Sequence, residues 1–93
     1  MAHYVALIHK EPGSLYGVSF PDFPGCIAAA ESRVAALEQA TEALTFHVEG
    51  MRQDGAHVPA PRSLAQIEAA RETWVDFKDA SVAMVPLGTA GSK

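Results

Sequence analysis

The side chains best suited to catalysis or metal binding lie in one eight-residue stretch, SFPDFPGC at residues 19–26. Asp22 could bind a metal ion, and Cys26 could act as a nucleophile once it had lost its proton. Each chemistry needs further groups close by. Metal-dependent cleavage of a phosphodiester requires several convergent carboxylates that hold two metal ions, and a thiolate requires a base that removes the proton.

The rest of the sequence supplies few of these groups. Residues 3–9 and 15–20 contain no Asp or Glu. The histidines have neither a metal-ligand spacing nor a diagnostic spacing to Cys26; they are His3, His9, His47 and His57. We therefore expect no catalytic residue, no metal site and no cofactor. Asp22 is predicted to cap a turn through side-chain to backbone hydrogen bonds, and Cys26 to be a small buried residue.

The same stretch is predicted to be a rigid structural connector. Its two prolines fix φ on either side of Phe23, and Gly25 permits a positive φ. The residues assigned to this connector are Pro21, Asp22, Phe23, Pro24, Gly25 and Cys26.

Three strands are predicted around the connector, over residues 4–9, 15–20 and 26–30. The first has apolar residues on both faces, which is typical of a strand covered on both sides. Its Pro-Gly turn leads into the second strand and predicts a hairpin. Three alanines in the third segment would favour a helix, but Ser32 has the character of an N-cap for the element that follows.

A long helix is predicted over residues 33–53, with Gly55 as its stop. One apolar stripe recurs at three- and four-residue spacing: Leu37, Ala40, Leu44, Val48 and Met51. A capping-box pattern at Ser63 opens a short helix that ends at about Arg71. The last strand is predicted over 82–87, with Pro86 at the strand end or the sheet edge.

These elements predict an α+β fold in the order β-β-β-α-β, with a short helix before the last strand. A three-stranded antiparallel meander and a fourth strand pack against the long helix. At 93 residues the chain is expected to form one domain over residues 1–87, followed by a linker-like tail at 88–93.

Composition narrows the classes of partner and location. The net charge is −4 with a pI of about 5.4, and the seven basic residues are scattered, so nucleic-acid binding is disfavoured and a basic protein partner is favoured. One cysteine excludes an internal disulfide. No signal peptide and no apolar run of membrane-spanning length are evident, so a cytoplasmic location without membrane contact is expected.

The order strand, PDFPGC connector, strand and Glu-rich helix resembles the HicB family of antitoxins. The matching segments are Tyr16-Gly17-Val18, residues 21–26, Ala36-Leu37 through Glu42-Ala43-Leu44, and Val58-Pro59-Ala60-Pro61. The resemblance implies a truncated ribonuclease-H-like domain over about residues 3–87. It also implies a partner, because HicB proteins bind and block HicA, a small basic ribonuclease.

Many HicB proteins also carry a C-terminal DNA-binding module, which this sequence does not show after the tail. We therefore expect no DNA binding by this chain alone, and we expect a homo-oligomer. Glu38, Glu42 and Glu49 lie opposite the apolar stripe and are the candidate toxin contacts, the alternative being an ordinary solvated helix face. Trp74 and Phe77 are candidate interface anchors or cover for the core.

Two other functions stay open at the level of sequence. The first is an orphan domain of the same fold that senses a small molecule or forms oligomers. The second is a degenerate ribonuclease-H-like nuclease, which the shortage of carboxylates disfavours. A neighbouring reading frame for a small basic protein would favour the antitoxin over the orphan domain.

Overall fold

The computed structural model describes residues 2–10 and 12–87. Within these residues six elements follow one another: β1 (His3–Lys10), β2 (Tyr16–Ser19), β3 (Ile27–Ala30), α1 (Arg33–Gln53), α2 (Leu64–Ala70) and β4 (Ser81–Pro86). The long helix has the predicted bounds, and each strand end lies within one residue of its predicted position. The predicted tail at 88–93 lies outside the described residues.

The four strands form one sheet in the order β3-β2-β1-β4, and all neighbours are antiparallel. β1 is therefore central. It pairs with β2 from Leu7 opposite Ser19 to Lys10 opposite Tyr16, and with β4 along nearly its whole length. The predicted α+β class, with a meander and a fourth strand, is confirmed, and Pro86 lies at the end of an edge strand, as expected.

The local signals that define α1 act as the sequence predicts. The Ser32 hydroxyl accepts a hydrogen bond from the backbone N–H of Ala35 at 3.1 Å. At the other end Gly55 adopts φ +74, and its N–H donates to the carbonyl of Arg52 at 3.1 Å. A left-handed residue at this position satisfies carbonyls of the last turn and stops the helix.

The sheet has two differently covered sides, because successive side chains of a strand point to opposite faces. On the α1 face, Tyr4, Ala6 and Ile8 of β1 pack with α1 in a cluster of twelve buried residues. On the second face, Val5 and Leu7 pack with Ile67 of α2. Half-buried residues of the segment 72–80 complete this smaller cluster.

Candidate partner-binding surfaces

The connector at residues 21–26 is a pair of consecutive turns held by the backbone. The N–H of Phe23 donates to the carbonyl of Phe20, and the N–H of Cys26 donates to the carbonyl of Phe23, both at 3.0 Å. Gly25 adopts φ +91, a conformation that a residue with a Cβ adopts only under strain. Phe23 points into the core, where its ring meets the Tyr4 ring edge-on with centroids 4.8 Å apart.

Asp22 of the connector is buried and paired with a residue forty positions later. Its Oδ1 lies 2.5 Å from Nε of Arg62, and its Oδ2 accepts from the backbone N–H of Arg62 at 3.1 Å. The prediction that Asp22 caps its own turn is wrong, because its carboxylate binds the backbone N–H and the side chain of Arg62 instead. The reason is that the connector already closes its turns with backbone bonds, which leaves the carboxylate to neutralise a cation.

Arg62 joins three parts of the chain. Besides Asp22, its Nη2 donates to the Pro21 carbonyl at 3.3 Å and to the Glu72 carboxylate at 2.8 Å. The hydrogen bonds with Glu72 and Asp22 raise the pKa of the guanidinium further, so Arg62 is a fixed positive charge. We call Asp22, Arg62 and Glu72 the Arg62 latch, because they tie the connector to the start of the segment 72–80.

The aromatic side chains of the segment 72–80 differ in their surroundings. Phe77 is half-buried and packs against the second-face cluster, so in this structure it covers the core. Trp74 is 54% exposed, and its Nε1 donates to the Pro21 carbonyl at 3.3 Å. With part of the connector and β3, Trp74 lines a small cavity of about 130 Å³.

The outward side of α1 carries the three candidate glutamates. Glu38 and Glu42 are exposed, and Glu49 is half-buried. Phe46 lies on the same side and is 83% exposed. One turn later comes Gly50, whose missing side chain leaves a depression beside the ring that Glu42 and Glu49 border. We call these residues the acidic helix face: Glu38, Glu42, Phe46 and Glu49.

The five candidate interface residues thus fall into two groups on opposite sides of the molecule. The glutamates point outward from the helix that covers the α1 face. Trp74 and Phe77 belong to the segment that covers the second face. One flat contact cannot include both groups, so they are two separate candidate surfaces.

Comparison with known proteins identifies the family to which the chain belongs. Residues 4–92 of the sequence match a protein family described as "HicB_like antitoxin of bacterial toxin-antitoxin system". The chain belongs to this family. A curated relative, an uncharacterized 14.9 kDa protein of the rep-hol intergenic region of Haemophilus phage HP1, is 41% identical over 51 residues.

Solved structures share the HicB-like fold. The antitoxin HicB of Burkholderia pseudomallei superposes with a TM-score of 0.74 at 30% identity, covering 92% of the chain and 63% of that protein. A chain of the HicA3 and HicB3 toxin-antitoxin complex superposes with a TM-score of 0.70 at 20% identity, covering 94% of the chain and 99% of its own length. At that identity the likeness is one of fold.

The HicB-like chain is shorter than the first two of these proteins. It covers 38% of the phage protein and 63% of the Burkholderia antitoxin. What those proteins do through their remaining length does not transfer to this chain.

The side chains that could have acted as nucleophile, base or metal ligand lie in environments typical of structural residues. Cys26 is buried, and burial raises the pKa of its thiol to about 11, so the thiol stays protonated and hard to reach at neutral pH. The His47 ring packs edge-on against Phe23 with centroids 5.7 Å apart. Within residues 2–10 and 12–87, no group of three or more potential metal ligands converges, and no helix there is long and apolar enough to cross a membrane.

Sequence reasoning missed two residues of these surfaces. Phe46 falls between the stripe residues Leu44 and Val48, and at 100° per residue it projects to the side of Glu42 and Glu49. That signal was present in the helical spacing. Arg62 carried no such signal, because its partner Asp22 is brought near only by the fold.

Proposed function

We propose that this chain is an antitoxin that binds a small basic ribonuclease of the HicA type and covers its active site. The acidic helix face makes the contact. Family membership over residues 4–92 supports the class of function. The observation that carries the choice of surface is the exposed Phe46 among carboxylates on α1, since aromatic side chains are enriched at protein interfaces and the rim around them is polar.

Each part of this face has a separate role in the complex. The glutamates attract the basic partner and orient it, which affects mainly the association rate. Phe46 enters an apolar recess of the partner, and its loss affects mainly the dissociation rate. Inhibition is stoichiometric because the mechanism is occlusion, without chemistry on the antitoxin. A cytoplasmic location and the absence of sequence-specific DNA binding by this chain alone belong to the same proposal.

Surface plasmon resonance with a purified HicA-type ribonuclease tests the proposal. We expect E38K/E42K/E49K to slow association strongly at low salt, and Phe46→Ala to speed dissociation. Glu42→Lys alone should also slow association, and Glu68→Lys on α2 is its matched control, because both are exposed helical glutamates and both reversals change the net charge equally. Circular dichroism verifies that each variant is folded; reversals of the exposed Glu38, Glu42 and Glu68 usually cost less than about 0.5 kcal/mol each.

Two results would contradict the proposal at different levels. An RNA-cleavage assay in which excess antitoxin leaves the ribonuclease fully active rejects the function itself. Normal inhibition with unchanged association of the triple variant rejects only the surface, and it moves the contact to the second face around Trp74.

A further inference from the structure

The depression beside Phe46 is a groove between two ridges of α1. Side chains four residues apart form ridges along a helix, and the space between neighbouring ridges is a groove. One ridge here ends in Gly50, so the groove widens to a volume of about 450 Å³. Pockets for small molecules begin at about 300 Å³, so there is room for one long side chain. We call this space the Gly50 recess, and its two ridges are Glu42-Phe46-Gly50 and Thr45-Glu49-Gln53.

The fold itself does not require a glycine at position 50. Gly50 lies inside α1 and lacks the positive φ that Gly25 and Gly55 adopt. A Cβ added there would meet nothing within 4 Å apart from its adjacent residues and the backbone of its own helix. Glycine is also less favourable than alanine inside a helix, because it loses more backbone entropy on folding. The chain thus sacrifices helix stability where its own packing gains nothing, which indicates that the empty space serves a contact outside the chain.

The groups around the Gly50 recess complement a positive charge on an apolar stem. Glu42 and Glu49 border it from the two ridges, and neither carboxylate has an ion pair within the described residues. Phe46 is 83% exposed, and the face of an aromatic ring attracts a cation. A cation with an apolar stem can therefore meet a carboxylate and the ring in one place.

We propose that the Gly50 recess is a subsite for one arginine side chain of the basic ribonuclease. The stem of this arginine lies over Gly50, and its guanidinium stacks on the Phe46 ring and binds the Glu49 carboxylate. The subsite rests on the proposed antitoxin function, and it names the side chain that the acidic helix face recognises. It makes Gly50 a residue that determines which basic partner fits.

The same chemistry disfavours the other occupants of the Gly50 recess. An apolar side chain would displace water from Glu42 and Glu49 without offering either carboxylate a partner, which is costly. A lysine ammonium is a compact and strongly hydrated charge. A guanidinium is planar and less strongly hydrated, stacks on aromatic faces, and can bind a carboxylate through two parallel hydrogen bonds. Arginine is therefore the side chain that satisfies the ring and the carboxylate together.

Enlargement of residue 50 tests the subsite, because it fills the Gly50 recess and favours the helix. Gly50→Ala and Gly50→Leu should both raise the urea midpoint of the isolated chain. In surface plasmon resonance with a purified HicA-type ribonuclease, Gly50→Leu should raise Kd by roughly 10- to 100-fold, mainly through faster dissociation. Gly50→Ala should raise Kd less. Ala69→Leu, which adds bulk to an exposed position of α2, is the matched control and should leave Kd unchanged.

Chemical footprinting of the ribonuclease identifies the occupant. Phenylglyoxal modifies accessible guanidinium groups, and acetic anhydride modifies accessible amines. At saturating antitoxin, mass spectrometry should show one arginine of the ribonuclease that the native chain protects from phenylglyoxal. The same arginine should react several-fold faster in the complexes with Gly50→Leu and with Phe46→Ala, since each variant removes part of the subsite. For the same reason the effects of these two substitutions on Kd should combine less than additively.

Different results would overturn the subsite alone or the antitoxin function with it. Inhibition of the ribonuclease with an unchanged Kd for Gly50→Leu means that the Gly50 recess is empty in the complex, although the function stands. A raised Kd without an arginine that loses protection means that leucine acts by a clash elsewhere. Protection of a lysine from acetic anhydride in place of an arginine assigns the recess to an ammonium. A native chain that neither binds nor inhibits the ribonuclease rejects the function and the subsite together.

Discussion

The two faces of the sheet are covered in different ways. The α1 face is sealed by a 21-residue helix and contains twelve buried residues. The second face is covered by a seven-residue helix and the segment 72–80, over three buried residues in the described part of the chain. Apolar burial is the main source of folding free energy. The comparison therefore indicates that the α1 face holds the fold together, while the second face has a thin cover that opens at lower cost.

Local opening follows such differences in cover, because segments with few buried apolar contacts unfold without the rest. The segment 72–80 is irregular, and its Asp79 adopts φ +57. β1 belongs to both faces, since Tyr4 and Val5 are both buried but in different clusters. The central strand thus links the stable side to the weaker side.

Truncation of one buried aliphatic residue on each face is the strongest test of this comparison. We expect Leu44→Ala on α1 to cost about 3–5 kcal/mol and Ile67→Ala on α2 about 2–3 kcal/mol, because a thin cover relaxes into the cavity more easily. Both side chains are fully buried, so exposure does not explain a difference. Urea denaturation measures both costs.

Hydrogen exchange separates the two variants further. Ile67→Ala should speed exchange in residues 64–80 while β1 and β2 stay protected. Leu44→Ala should speed exchange throughout. Equal acceleration everywhere in both variants would show that the faces open together and that the comparison fails.

Removal of the Arg62 latch should have an intermediate effect. Arg62→Met leaves the buried Asp22 carboxylate without its cation, which costs about 1–3 kcal/mol given that the guanidinium is partly solvated. Glu72→Gln is the control, because Glu72 is the more exposed partner, and surface pairs contribute about 1 kcal/mol or less. Urea unfolding of both variants decides the point, and equal losses would mean that burial of Asp22 is not the cause.

The smallest effect is expected from the Cys26 thiol on the α1 face, which should cause a loss of stability at high pH. Its pKa is raised from 9.0 to about 11 in the folded state, so the folded chain holds the proton more tightly than the unfolded chain. The stability that this tighter proton binding contributes is complete below pH 9 and is lost as the pH rises to 11. About 1 kcal/mol of it is lost by pH 10. The urea midpoint should fall more steeply between pH 8 and pH 10 in the native protein than in Cys26→Ala. Parallel slopes would place the thiol in contact with solvent.

Features fixed by neighbouring residues could be predicted from the sequence. α1 begins and ends where Ser32 and Gly55 place it, since both caps act within one helical turn. The Ser32 cap predicts the third strand against the helical propensity of its alanines, and the structure confirms that strand because pairing with β2 overrides propensity. The antiparallel meander of β1, β2 and β3 also followed from the short connections between these strands.

Features that depend on residues far apart in the sequence could not be predicted from it. The forty residues between Asp22 and Arg62 carry no local pattern that joins the two. The separation of the glutamates from Trp74 and Phe77 required the knowledge of which face each element covers. Whether either group contacts a toxin stays a prediction, because a surface shows its chemistry without showing its occupant.

The pairing of β1 with β4 has a consequence for synthesis on the ribosome. β1 is made first, but one of its two edges receives its partner only when residues 81–86 emerge. Until then the nascent chain can form the hairpin and those α1-face contacts that do not involve β4, while the apolar strand HYVALIHK keeps an open edge. Contacts between residues so far apart in sequence form slowly, and exposed edges of unfinished domains aggregate. The time needed to translate the last part of this domain is therefore the period in which the nascent chain is most exposed to misassembly.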